Sequence, residues 1–194
     1  MDIIKIIAFA GSLRKDSFNK KLVKLAASGA QAWGAQVTVI DLKDYPIPIY
    51  DGDLEQANGL PENAKKLRKM LIGADGLLIS TPEYNSSISA VLKNTIDWIS
   101  RPESKDEPPL AALKGKVACV MSASPGVMGG LQSLAHLRAI LSNLGVFVLP
   151  NHLAVGRAHE AFKDDGSLKD EKLQNTVLKI GKDLAATATK LKAL

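Results

Sequence analysis

Short apolar runs alternate along the chain with longer stretches in which apolar and charged positions recur at helical spacing. The runs cover residues 3–9, 36–40, 76–80, 116–121 and 146–149. Most are nearly continuous in apolar character and rich in Val, Ile and Leu, which predicts strands buried on both faces of a parallel sheet. Between them lie five helical patterns. Residues 17–33 carry Leu22, Val23, Leu25, Ala26 and Trp33, and residues 61–73 carry Ala64, Leu67, Met70 and Leu71 with Pro61 at an N1-type position. Residues 88–100 present Val91, Leu92, Ile96 and Ile99, and residues 130–144 present a leucine-rich stripe closed by Gly145 as a C′ residue. A last helix is predicted over 168–192. Regular β-α alternation predicts an α/β doubly wound sheet of five strands, with residues 1–194 forming one domain.

Three connections exceed the usual length. Residues 45–59 and 100–115 are rich in Pro, Gly and polar side chains, and residues 151–166 read as irregular. In an open α/β fold, function collects at the carboxyl edge of the strands.

Composition narrows the reading only slightly. Hydrophobic content of 46% with 23% charged residues is ordinary for a globular protein. The net charge of +5 raises nucleic acid as a partner, but aromatics make up 5% and do not interleave with the lysines as a stacking platform requires. A pull on small anions is the more useful consequence. No apolar run is long enough to span a membrane, and Met1-Asp2-Ile3-Ile4-Lys5 lacks signal-peptide anatomy. Cys119, the single cysteine, sits inside an apolar run and is expected to be buried, which suits a reducing cytoplasm.

The richest chemistry follows the first strand, in Gly11-Ser12-Leu13-Arg14-Lys15-Asp16-Ser17-Phe18-Asn19. Backbone N–H groups and the positive dipole end of a helix make such a turn a ready anion site. Ser12, Ser17 and Asn19 can add neutral hydrogen bonds and Arg14 a charge-assisted one, so a terminal phosphate is the expected guest. The plain alternative is an ordinary βα loop with Ser17 as helix N-cap. Neither G-x-G-x-x-G nor G-x-x-x-x-G-K-[ST] occurs, which excludes the dinucleotide fingerprint and the nucleoside-triphosphate loop. Asp41 is then a strand-end residue rather than a ribose ligand.

In a sheet of flavodoxin type, order 2-1-3-4-5 with helices on both faces, the crevice lies beside the first and third strands. Two further loops would meet there. Thr81-Pro82-Glu83-Tyr84-Asn85-Ser86 offers an extended approach at Pro82, a flat face at Tyr84 and a polar reader at Asn85; alternatively Asn85 or Ser86 caps the next helix. Ser122-Ala123-Ser124-Pro125-Gly126-Val127-Met128-Gly129-Gly130 has glycines that allow close backbone approach to a ligand. His136, His152 and His159 lack ligand-like spacing, and no nucleophile elbow is present. So few reactive side chains suggest that a cofactor carries the chemistry.

Taken together, the loops resemble the NADPH-dependent FMN reductase family, particularly its bacterial quinone and chromate reductases. The resemblance rests on Gly11-Ser12-Leu13-Arg14 with Ser17 and Asn19, on Thr81-Pro82-Glu83-Tyr84-Asn85, on Leu92-Lys93-Asn94 with Ile96-Asp97-Trp98, and on Gly126 with Gly129-Gly130. It runs from the first strand to about Pro150; Pro125 departs from what relatives often carry. It implies a flavodoxin-like fold, bound FMN, NAD(P)H as hydride donor, and dimers or tetramers. The implied cofactor set is Gly11, Ser12, Leu13, Arg14, Ser17, Phe18 and Asn19, then Pro82, Glu83, Tyr84 and Asn85, then Ser122, Ala123, Ser124 and Gly126. Quinones, free flavins or metal oxyanions such as chromate are the implied acceptors, by a ping-pong route. The alternatives are a flavodoxin-like electron carrier, which the net positive charge and Arg14 disfavour, and a non-redox nucleotide-binding module. Arg101 is a candidate for NAD(P)H or acceptor binding in a neighbouring subunit, because Trp98 and Ile99 before it form a large apolar pair that one subunit is not expected to cover. Otherwise it is a helix C-terminal cation.

Overall fold

The computed structural model describes residues 3–193; Met1 and Asp2 of the leader-free reading lie outside them. Its parallel sheet runs in the order β2-β1-β3-β4-β5, built from β1 (Lys5–Ala10), β2 (Gln36–Asp41), β3 (Gly76–Ser80), β4 (Val117–Ala123) and β5 (Phe147–Val148). The fold class and strand order match the expectation, with one correction. A sixth strand, β6 (Leu153–Val155), pairs with β4 as well, Met121 facing Leu153 and Ala123 facing Val155. The edge is therefore one broken strand: β5 flanks the amino half of β4 and β6 the carboxyl half. The break falls at Pro150, which has no N–H to offer the ladder.

Helices α1 (Phe18–Ala32) and α7 (Glu171–Lys192) cover one face. Helices α3 (Glu62–Ile72), α4 (Ala90–Ile99) and α5 (Leu131–Asn143) cover the other. Alternate strand residues feed the two cores: Ile6, Ala8, Leu78, Cys119 and Met121 face α1 and α7, while Ile7, Phe9, Leu77, Ile79 and Val120 face the opposite layer. Burial on both sides is what makes these strands read as unbroken apolar runs.

Several end signals differ from the sequence reading. Pro61 is the cap residue, one place before the first turn of α3. The side chain capping α4 is that of Ser89, not Asn85 or Ser86. Two short helices, α2 (Gly52–Asn58) and α6 (Ala158–Ala161), occupy stretches that read as loops. α2 and its neighbours correct a further expectation. Trp98 and Ile99 are fully buried within this one chain. Trp98 packs with Leu60, Ala64 and Leu54, meets Tyr50 edge-on at 5.0 Å, and donates from Nε1 to the Pro48 carbonyl at 2.8 Å. No described helix is long and apolar enough to cross a membrane.

Candidate functional site

β2 and β3 lie on opposite sides of β1, so the chain leaves the sheet in opposite directions at the carboxyl ends of β1 and β3, and a crevice opens there. Ser12, Arg14, Ser17, Phe18 and Asn19 from the first loop line it, with Pro82, Glu83 and Tyr84 from the second and Ala123, Ser124 and Pro125 from the third. The cleft is narrow, about 70 Å³, with room for a phosphate-sized anion.

The first loop presents donors with little competition. Ser17 caps α1, its Oγ accepting from Lys20 N at 3.4 Å. The backbone N–H groups of Ser17, Phe18 and Asn19 find no acceptor among the described residues, as the first turn of a helix requires unless a ligand supplies one. The first turn of α1 carries no acidic residue. Ser12 is nearly buried at the cleft wall, and the exposed Arg14 forms no ion pair among the described residues. Phe18 stacks on Phe162, ring centroids 5.8 Å apart, which fixes the entry of α1. Lys20 points away to Asp41 at 2.5 Å, so Asp41 closes the end of β2 against α1 and does not enter the cleft.

Asn19 does a different job from the one its sequence position suggests. Its Oδ1 accepts from Ser80 Oγ at 2.7 Å and from Ala123 N at 2.9 Å, and its Nδ2 donates to the Ala123 carbonyl at 2.9 Å. The amide thus staples the ends of β3 and β4 to α1, and only the Asn19 backbone remains for a ligand. Ser122 is likewise committed: fully buried, it donates to the Thr81 carbonyl at 2.7 Å and lies beneath the cleft. Gly11 is small for packing. A Cβ there would come within 2.8 Å of Leu92 Cβ, and its carbonyl accepts from Ser89 Oγ at 2.5 Å.

The second loop is a tight hairpin. Tyr84 and Ser87 exchange backbone hydrogen bonds at 3.0 and 3.1 Å, with Asn85 and Ser86 at positive φ of 50° and 63° between them. This is the backbone of a two-residue turn that asparagine tolerates well. Asn85 therefore sits at the turn tip, outside the cleft, while Tyr84 is left half exposed beside it. Glu83 accepts from Ser133 N at 3.0 Å, tying the loop to the start of α5. His136 reaches the same loop, its Nδ1 lying 3.0 Å from Ser87 Oγ.

The third loop also departs from expectation. A Cβ on Gly130, whose φ is +92°, would collide with Ser122 Oγ. Gly129 and Gly130 therefore let the loop pack on β4 and β6. Gly126 donates to Ser124 Oγ at 3.2 Å and lies on the exposed crest, and Leu13 projects to solvent beside Arg14. Of the fifteen positions expected to hold the cofactor, Gly11, Leu13, Asn85, Ser122 and Gly126 do not line the cleft. Pro125, noted in the sequence only as a departure from relatives and not placed in the expected cofactor set, lines it as well. Arg101 is remote, its Nε donating to both Glu55 carboxylate oxygens at 2.9 and 3.0 Å beside the Tyr50 ring.

The comparisons with known proteins agree with this geometry. The NADPH-dependent FMN reductase family profile matches residues 4–160. The chain is 36% identical over 177 residues to the NAD(P)H-dependent FMN reductase PA1204 of Pseudomonas aeruginosa, covering 91% of this chain and 90% of that one. It is 38% identical over 150 residues to a quinone reductase of Escherichia coli K12, with 75% and 73% covered. The structure of FerB, a flavoenzyme NAD(P)H:(acceptor) oxidoreductase from Paracoccus denitrificans, superposes with a TM-score of 0.80 at 32% identity, over 97% of this chain and 98% of that one. The sheet order, the phosphate-sized cleft and these matches converge: the chain belongs to the NADPH-dependent FMN reductase family.

Proposed function

We propose that this chain is an FMN-dependent NAD(P)H oxidoreductase that reduces quinones, and also free flavins or metal oxyanions such as chromate, by a ping-pong hydride mechanism. The observation that carries the proposal is the set of N–H groups at Ser17, Phe18 and Asn19 that find no acceptor among the described residues, flanked by the Ser12 and Ser17 hydroxyls and by the Arg14 guanidinium, which is unpaired among them. This donor set fits the phosphate of FMN. Pro82, Tyr84, Ser124 and Pro125 then offer surface for the remainder of the cofactor. Held there by the Ser17, Phe18 and Asn19 amides with Ser12 and Arg14, FMN would supply the hydride and electron chemistry between NAD(P)H and the acceptor.

The chain's own residues bind and orient. No group of three or more His, Cys, Asp or Glu among the described residues is placed to hold a metal. The cleft opens outward between the three loops, and a single shared opening for donor and acceptor would support ping-pong kinetics. Leu13, Val127 and Met128, exposed on two of the loops that supply the cleft, are apolar surface that a second copy would cover, which supports a homodimer or homotetramer. The buried, single Cys119 fits a cytoplasmic setting.

Mixing FMN-loaded protein with NADH or NADPH under nitrogen tests the reading. The flavin absorbance should bleach within seconds and return on adding a quinone, and initial rates should give parallel double-reciprocal lines. Stable absorbance would instead identify an electron carrier, and intersecting lines would refute the ping-pong order.

A further inference from the structure

A second, larger hollow opens at the opposite end of the sheet. It lies between the amino ends of the edge strand β2 and of β1, on the side facing the carboxyl end of α3, and encloses about 590 Å³. Its origin is topological. Alternate residues of β2, Gln36 and Thr38, face the α3 side of the sheet and are exposed, because no helix is laid over this strand there. Ile7, Ala74 and Met70 supply an apolar floor.

The rim has one sign of charge. Lys5, Lys66 and Lys69 border the hollow, and no Asp or Glu among the described residues does. Of the nearby acids, Glu62 pairs with Lys65 at 2.9 Å, and Asp75, which pairs with Lys192 at 3.1 Å and accepts from the Lys5 backbone N–H at 2.8 Å, does not line the hollow. None of the three rim lysines forms an ion pair among the described residues. Three unpaired ammonium groups over an apolar floor, with the Thr38 and Tyr45 side chains at the side, form a mixed surface. Its chemistry suits a molecule with an anionic head and an apolar body. The hollow is separate from the cofactor cleft. Lys5 and Ala10 are the two ends of β1, about 16 Å apart at strand rise.

We infer that the hollow between β2 and α3 is a binding site for an amphiphilic small anion: an aryl or acyl chain bearing a carboxylate, sulfonate or phosphate. The lysines hold the head and the floor formed by Ile7, Ala74 and Met70 holds the body. This stands on residues that the redox proposal does not use, so either can fail alone.

The experiment uses the FMN-loaded full chain, with 8-anilinonaphthalene-1-sulfonate as probe, followed by fluorescence and calorimetry. One saturable site per chain is expected. The K66E/K69E double variant, altered at two exposed helix positions, should bind about tenfold or more weakly with unchanged FMN content and melting temperature. A Thr38→Trp variant, which fills the hollow without changing charge, should also lose the probe. Equal binding by parent and both variants, or no saturable site, overturns the proposal. So does displacement of the probe by inorganic phosphate at the probe's own affinity, which would leave only a bare anion site.

Discussion

Replacing Asn19 with alanine removes three buried hydrogen bonds at once, and the structure permits an estimate of the cost. The amide is almost wholly buried, and its bonds to Ser80 Oγ, Ala123 N and the Ala123 carbonyl are all between 2.7 and 2.9 Å. The Ser80 hydroxyl can rotate toward another acceptor, but the Ala123 N–H and C=O are fixed by β4 and would be orphaned. An unsatisfied buried backbone group costs about 1–3 kcal/mol, so two of them give about 3 kcal/mol after partial relaxation. For a chain of 194 residues that corresponds to a melting temperature lower by about 6–12 °C. The measurement is thermal unfolding of the FMN-free protein by circular dichroism, so that no ligand contributes. Ser80→Ala, which leaves Ala123 satisfied, should cost only about 1 kcal/mol. If FMN-free Asn19→Ala melts within about 2 °C of the parent, the staple is not structural and the side chain's role belongs to the ligand after all.

Four further outcomes follow. Arg14→Ala should weaken FMN binding by about one to two decades, since a charge-assisted bond contributes about 1.5–3 kcal/mol, while the apo melting temperature stays put; undiminished FMN affinity in equilibrium titration would reassign the phosphate loop. Arg101→Ala should leave the KM for NAD(P)H unchanged and lower stability slightly through loss of the exposed Glu55 pair, whereas a raised KM with FMN still bound would restore a role toward a neighbouring copy. Partial burial opposes ionisation of Asp41, but the Lys20 ammonium and the Lys43 amide outweigh it and hold the carboxyl below its ordinary 3.8. A depressed native value contributes stability above 3.8 that is lost as pH falls through the native value, so the deficit of Asp41→Asn, less than about 1 kcal/mol for a partly exposed pair, should close in that acidic window of a pH-dependent denaturation series. Burial pushes the Cys119 thiol up to about 12, and thiol reagents at pH 8 should label it only after unfolding; rapid labelling of native protein would contradict its place in the core.

The fold was legible where burial imposes a pattern. β3, flanked by two strands and covered on both faces, begins and ends where its apolar run does. The Val146–Leu149 region and β6 were harder for a physical reason. Edge strands are short, and Pro150 splits this one into pieces of two and three residues whose pairing with β4 is not encoded locally. α2 was hidden because none of its residues is buried, so it carries no apolar stripe to betray it. Its effect was nonetheless large, since its Leu54 packs against the cluster that buries Trp98, the residue whose exposure the Arg101 expectation rested on.

The site was legible as a cluster but not as a division of labour. Sequence shows that Ser12, Ser17, Asn19, Ser122 and Ser124 can donate or accept, and it cannot show which already have partners. Ser122 and Asn19 are taken up by carbonyls and amides at the ends of β3 and β4, contacts 41 and 104 residues apart along the chain. Ser12 and Ser17 only accept, from the Arg14 and Lys20 backbone N–H groups at 3.4 Å each, so among the described residues their O–H groups keep no acceptor and remain at the cleft. The same holds for the glycines: Gly11 and Gly130 are small on account of Leu92 and Ser122, neighbours distant in sequence or facing across a loop. A hydroxyl-rich or glycine-rich βα loop thus mixes residues that hold the strands' ends together with residues that hold the ligand. The first group makes the second possible, because three first-turn amides can converge on one anion only if α1 is pinned against β3 and β4, and the pin is Asn19.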